Sequence, residues 1–408
     1  MRKGDKHSGR GQGDDSLARA PRRRRVAALA VLVAAALAAL VLTRVWPGSH
    51  GRGDSPEWTE QEAAIQEALR ARPFQPDATA DELRDEAVGT VAALAAAYPE
   101  EVEALALAAH VYTRLGSHDR AAALWRSCIE IAPRFANAHF QLGRVLRQQG
   151  DLDEAAARLE EVVRLEPAHP GAPPLLADAL MQLGRAEDAV AMLERHHEHH
   201  PGSDRSLLAL GQAQLQAGRT EEAGETFAQL VAAFPADARG YYGLARVYAR
   251  QGESAQSREH MEAFRELGAV DFHGRADEIR TYDDAANLRR LLGQALMDAG
   301  IVYGQQQDLA GAELAWRKAA ALDAEEVASR RALLLLYEEQ GREEKALAVC
   351  EELARLEPEN PTHWLNLALL NGRLQRAEAA LSAIERALEL EPQSPKIREI
   401  HDMIREGM

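Results

Sequence analysis

A chain of 408 residues, 27% charged and 46% hydrophobic, has the composition of a folded protein and the length for two or three domains or one long repeat array. Ala, Leu, Glu, Arg and Gln dominate while β-branched residues are sparse, which favours helix and argues against a large sheet. The net charge of −16 is uneven, with +6 on residues 1–25 and −22 on the rest; so acidic a body argues against nucleic-acid binding, which needs a positive face toward phosphate.

Residues 1–25 read as a basic cytoplasmic tail. Residues 26–45 are predicted as one transmembrane helix. An uncharged apolar run of 18 residues, Val26–Thr43, forms its body, and as a helix it would be about 27 Å long, close to the hydrocarbon thickness. Arg22–Arg25 precede it and Trp46 follows where Trp suits the membrane interface. The positive-inside rule then keeps the N-terminus in the cytoplasm and puts everything after Trp46 outside it. The run is Ala-rich, which suits packing against another membrane helix. A cleaved signal peptide is the rival reading, because arginines before an apolar segment loosely resemble a twin-arginine signal, although no small-x-small site comes directly after it. Residues 46–56 form a flexible Gly/Ser/Pro linker. Within it Arg52-Gly53-Asp54 resembles the integrin-binding tripeptide; a chance match in a Gly/Arg-rich tether is the plainer reading. Residues 57–99 read as a divergent leading helical repeat with a Pro-rich bend. Its second helix, Asp81–Tyr98, has Ala87, Val91, Leu94 and Pro99 in register with the downstream units.

From residue 100 a fixed period sets in. Gly116, Gly150, Gly184, Gly218 and Gly252 are each 34 residues apart. The same spacing separates Ala121, Ala155, Ala189 and Ala223, with Ser257 next in phase, and also Pro133, Pro167, Pro201 and Pro235. Three registers with one spacing mark an array of repeated units. The Gly comes after an apolar-periodic helix, where a left-handed cap is needed. The Ala falls where a second helix approaches the first closely, and the Pro stops that second helix. Residues 100–268 thus hold five units. The next small residue of the Ala register, Ala312, comes 55 residues after Ser257, so residues 269–290 interrupt the array. Residues 291–392 hold three more units, and residues 393–408 are predicted as a polar capping helix over the last apolar face.

The pattern resembles the tetratricopeptide repeat. One unit reads Tyr241-x-x-Leu244-Ala245-x-x-Tyr248 and then Gly252; another reads Trp364-x-x-Leu367-Ala368, then Ala380, Ile384, Ala387 and Pro392. The resemblance implies an all-α fold, a right-handed solenoid of about eight helix pairs plus the divergent leading one, after one transmembrane helix. It also implies a concave peptide-binding groove lined by the first helix of each unit. Its positions are Asn137, Phe140, Arg144 and Arg147 in the second unit, and Arg239, Tyr242, Arg246 and Arg250 in the fifth. Guanidinium groups suit carboxylate capture and aromatic rings suit peptide packing, which points to acidic or extended segments as ligands. The plainer reading is a solvated row of arginines. The family's carboxylate clamp of Lys and Asn is not matched, since Ala106 and His110 stand where it would begin.

His196, His197, His199 and His200 offer helical spacings that metal binding can use, but the sequence is not HExxH, and His near a helix C-terminus is also favoured by the dipole. Adventitious metal binding is the reading adopted, with no functional metal and no cofactor. Cys128 and Cys350 fall at normally buried repeat positions, and no CxxC pair exists. No phosphate-cradling loop, nucleophile elbow or framed pair of carboxylates is found, so no catalytic residue is assigned and the protein is read as a non-enzyme. The expected function is a membrane-anchored scaffold of bacterial type, its array periplasmic or otherwise extracytoplasmic, recruiting envelope proteins through its concave face. An accessory subunit of a cytochrome-maturation or polysaccharide-export complex is one alternative, and a metal-binding protein built on the His cluster is another.

Overall fold

A computed structural model describes residues 78–200, 203–268 and 284–406. Among the described residues there are 18 helices and no strand, and no helix is long and apolar enough to cross a membrane. The basic tail, the apolar run at 26–45, the linker with its Arg52–Asp54 tripeptide and the first helix expected within 57–76 lie outside the described residues.

A lone helix, α1 (Ala80–Ala97), comes first. It starts on a capping box in which the Thr79 hydroxyl accepts from the Glu82 N–H and the Glu82 carboxylate accepts from the Thr79 N–H at 2.8 Å. Five antiparallel pairs come next. They are α2 (Val102–Arg114) with α3 (His118–Ile131), α4 (Ala136–Gln149) with α5 (Leu152–Leu165), α6 (Ala172–Gln182) with α7 (Ala186–His199), α8 (Asp204–Gln216) with α9 (Thr220–Ala233), and α10 (Ala238–Gln251) with α11 (Ser254–Glu266). Three further pairs are α12 (Ala285–Gln305) with α13 (Leu309–Leu322), α14 (Ala328–Glu339) with α15 (Glu343–Leu356), and α16 (Pro361–Arg373) with α17 (Ala377–Leu390). The last helix, α18 (Pro395–Glu406), buries Ile397 and Ile400 on α17.

Each register has a structural cause. Gly116, Gly150, Gly184, Gly218, Gly252 and Gly341 all have φ between 67° and 87°, the left-handed conformation a Gly adopts without strain. The turn they make closes with a bond from the next residue's N–H to a carbonyl five back, as from Asp151 to Leu146 at 3.0 Å and from Arg185 to Leu180 at 2.8 Å. Gln307 (φ 62°) and Gln375 (φ 58°) hold the same position 34 residues either side of Gly341. Ala121, Ala155, Ala189, Ala223, Ala312 and Ala346 are each 0% exposed, where paired helices touch most closely. At the one Ser of that register the hydroxyl donates to the Ala245 carbonyl at 2.9 Å, so the polar group is satisfied within the pair.

The sixth pair is not stacked on the fifth. Its first helix, α12, has 21 residues and packs on α1 and α2, about 200 positions earlier in the chain. It begins at Ala285, inside the stretch that breaks the 34-residue phase, because Asp284 caps it at the Asn287 N–H (2.9 Å) and Leu288 is fully buried in the new contact. On α1 the stripe Leu83, Ala87, Val91 and Leu94, at helical spacing, is wholly buried between α2 and α12. Leu291, Leu292, Ala295, Leu296, Ala299 and Val302 supply the facing side. An ion pair from Lys318 to Glu86 at 2.7 Å and an edge-on contact of Tyr98 with Tyr303 at 5.9 Å flank the apolar seam. Thus α12 is shared: it is the first helix of its own pair and also the helix against which α1 lies.

Candidate functional site

The inner-wall arginines expected to face a ligand are mostly engaged within the chain. Arg147 reaches Asp178 on the next first-helix at 2.9 Å, tying α4 to α6. Arg239 is clasped by Asp237 and Asp204 at 2.6 and 2.7 Å; these bonds, above all the one to Asp237, raise its pKa above the ordinary arginine value. Arg250 donates to the Leu215 carbonyl at the end of α8. Phe140 lies against His169 with ring centres 4.4 Å apart, and the Arg144 guanidinium sits over the Phe140 ring at 5.8 Å. Tyr242 packs on Phe264 of α11 at 5.3 Å. Arg246 is exposed and makes no ion pair with a described residue. The second-unit and fifth-unit groups therefore do not converge on one site. Each staples its own neighbourhood.

A groove lies elsewhere, at the joint. It has a volume of about 1000 Å³ and is bounded by α2, by α12 and by the corner between α3 and α4. Leu107, Phe135 and Val302 give it apolar walls, and Ile131 and Ile301, exposed by 43% and 44%, stand at it with their side chains in water. Of the eight residues expected from the repeat pattern, Asn137 alone lines it. Ala106 and His110, at the positions of the unmatched carboxylate clamp, line it as well. Desolvation, then the charges of Arg114 and Arg144, hold the His110 pKa below the usual imidazole value, so this ring is neutral at pH 7. Burial raises the Asp298 pKa, against a Gln294 amide that donates to it at 2.9 Å. The groove needs α12, and no periodicity in the sequence could have placed α12 beside α2.

Elsewhere the polar groups read as structure. His196 and His200 approach as tilted rings 5.1 Å apart, and desolvation together with His200 and His197 lowers the His196 pKa. Among the described residues no group of three or more His, Cys, Asp or Glu is arranged to hold a metal ion. Burial pushes the thiols of Cys128 and Cys350 up to about 12, which leaves both un-ionised and inert in the folded protein.

Four family models, each described as tetratricopeptide repeat, match the chain, at residues 109–173 and 297–361, 146–215 and 186–247, 238–263, and 333–405. The chain belongs to the tetratricopeptide repeat family. The models skip the stretch between residues 263 and 297, where the two runs of repeats part. Among solved structures, YrrB, titled a TPR protein with an unusual peptide-binding site, is 18% identical over 44% of this chain and 93% of its own, with a TM-score of 0.38. MamA from Desulfovibrio magneticus RS-1 is 21% identical over 40% of this chain and 93% of its own, with a TM-score of 0.37. No curated protein matches the chain. Tetratricopeptide arrays are protein-interaction scaffolds, and this chain carries two runs of them joined through α1 and α12.

Proposed function

We propose that this protein is a membrane-anchored tetratricopeptide scaffold that holds other envelope proteins, without catalysing a reaction of its own. The observation that carries the protein-binding part is the open groove at the joint, where large apolar side chains stand in water beside recessed ones. Exposed Ile131 and Ile301 at the edge of a concave site are what a docking surface presents before its partner arrives. The anchoring part rests on the uncharged run Val26–Thr43 between Arg22–Arg25 and Trp46, which gives a single span with the array outside the cytoplasm. Acidic or extended segments also have a contact on the inner wall at Arg246, an exposed guanidinium of the fifth pair.

The test is photo-crosslinking of the full-length protein in its native membrane, with the crosslinker placed in turn at Ile301 and at Arg246, and mass spectrometry of the products. Capture of the same few proteins across replicates, lost when the crosslinker is moved to the exposed outer face of α17, is the expected result. Indiscriminate capture at all three positions would sink the reading. A C-terminal alkaline-phosphatase fusion is expected to be active; an inactive fusion beside an active cytoplasmic reporter would overturn the orientation.

A further inference from the structure

Resting on the protein-binding reading above, we propose that the joint groove docks a partner segment that is apolar on one face and bears Lys or Arg on the other. Four carboxylates line this groove, Glu100, Glu101, Glu103 and Asp298, against the single guanidinium of Arg134. None of the four is ion-paired to a described residue; Asp298 has only the Gln294 amide. This separates them from the other acids of the inner wall. Asp178, Asp204 and Asp237 each hold an arginine of the same chain. Glu100 and Glu103 are exposed, but Glu101 and Asp298 are half-buried, and a cation delivered to these two is screened less than at an open surface. An acidic ligand would meet repulsion in the same place.

The rest of the lining fits the apolar face of such a segment. Ile131 and Ile301 offer exposed anchoring surface, and Leu107, Phe135 and Val302 lie behind them. Trp125, which also lines the groove, is 2% exposed, and its indole Nε1 has no hydrogen-bond partner among the described residues. A buried N–H without an acceptor is uncommon, and a carbonyl brought in by a bound chain would satisfy it once the lining side chains move aside. The size agrees: about 1000 Å³ in an open cleft is at the upper limit for small-molecule sites, which are more enclosed, and suits a short length of polypeptide. The polarity is opposite to that of a Lys/Asn carboxylate clamp, whose first positions are here Ala106 and His110.

The experiment uses the full-length protein in nanodiscs and two fluorescein-labelled amphipathic peptides of equal length, one Leu/Lys and one Leu/Glu, with binding read by fluorescence anisotropy. The Leu/Lys peptide is expected to bind saturably and more tightly. Asp298→Asn, which keeps the side-chain shape and removes one charge, is expected to weaken it about tenfold. Ile301→Ser is expected to weaken it several-fold, and Glu378→Gln, which removes one exposed carboxylate on α17 away from the groove, to leave it unchanged. Because the body is acidic, general attraction of a basic peptide is the rival outcome, and the single-charge Asp298→Asn variant decides against it. Equal affinity for both peptides, no binding of either, or an unaltered affinity in Asp298→Asn with unchanged circular dichroism would overturn the proposal. If membrane crosslinking at Arg246 still captures specific partners, the scaffold reading survives that failure. If peptide binds at the groove but no native partner is ever captured, the scaffold reading fails instead.

Discussion

The first run of repeats, α2 to α11, and the second, α12 to α18, share one period and secure it by different means. In the first, every turn carries a glycine, and the ties between neighbouring pairs are partly exposed ion pairs such as Arg147–Asp178 and Arg219–Glu187. In the second, two of three turns place a glutamine at positive φ, and some of the ties are buried. The Glu313 carboxylate, 1% exposed, accepts from the Tyr337 hydroxyl at 2.7 Å and pairs with Arg342 at 2.6 Å. Arg330, 8% exposed, pairs with Glu352 at 2.8 Å and donates to the Ala320 and Asp323 carbonyls. A repeat family therefore fixes the geometry of a turn without fixing the chemistry that secures it.

That contrast can be broken most sharply at Glu313. Glu313→Ala takes the acceptor from the buried Tyr337 hydroxyl and the carboxylate partner from half-buried Arg342, and is expected to destabilise the second run by about 3 kcal/mol or more. The two buried thiols, one in each run, give a local readout: labelling of Cys350 by a disulfide reagent should accelerate by about a hundredfold or more, while that of Cys128 stays near its wild-type rate. Equal acceleration at both would show that the runs open as one unit. Next in size, Gln375→Gly relieves a left-handed residue and is expected to raise the stability of the second run by about 1 kcal/mol, seen as slower Cys350 labelling. Gly218→Ala, the converse change in the first run, should lower it by a similar amount and speed Cys128 labelling.

Glu357 sharpens the comparison through pH. Hydrogen bonds from His363 first, then from Arg331 and Asn360, bring its pKa down to about 2. A depressed carboxyl pKa means that the stabilisation is complete above the unfolded value, near 4.5, and is lost as pH falls toward 2. Glu357→Gln should therefore destabilise the second run at pH 7, by about 1 kcal/mol once solvent screening at this one-third-exposed group is allowed for. The gap to wild type should close in urea titrations repeated between pH 5 and 3. A gap independent of pH would assign the effect to packing. The smallest effect is expected at the partly exposed tie Arg147–Asp178, where a double-mutant cycle to Ala should give a coupling of about 0.5 kcal/mol or less at moderate salt.

The helix pairs, their turns and their closing helix were legible because each rests on local rules. Glycine takes a left-handed cap, alanine fits a close crossing and proline ends a helix, so the residue types at 34-residue spacing announce the turns directly. The second run's turns were harder to read because Gln307 and Gln375 hide the glycine register; only Gly341 between them gave it away. The eight residues expected on the inner wall lie on first helices, and their engagement was not legible. Whether Arg147 or Arg239 faces a ligand or an aspartate depends on Asp178 and Asp204, some 31 to 35 residues away, and on how far each pair is rotated against the next.

By itself the sequence determined the units: which residues pair within a repeat, where each helix stops, and that the phase slips between Ser257 and Ala312. What only the tertiary structure decided is the joint. The stripe of Leu83, Ala87, Val91 and Leu94 states that α1 must be covered, but apolar burial has no direction and names no partner. Folding set α12 there, some 200 residues along the chain, and with it made the groove whose unpaired carboxylates now await a cation.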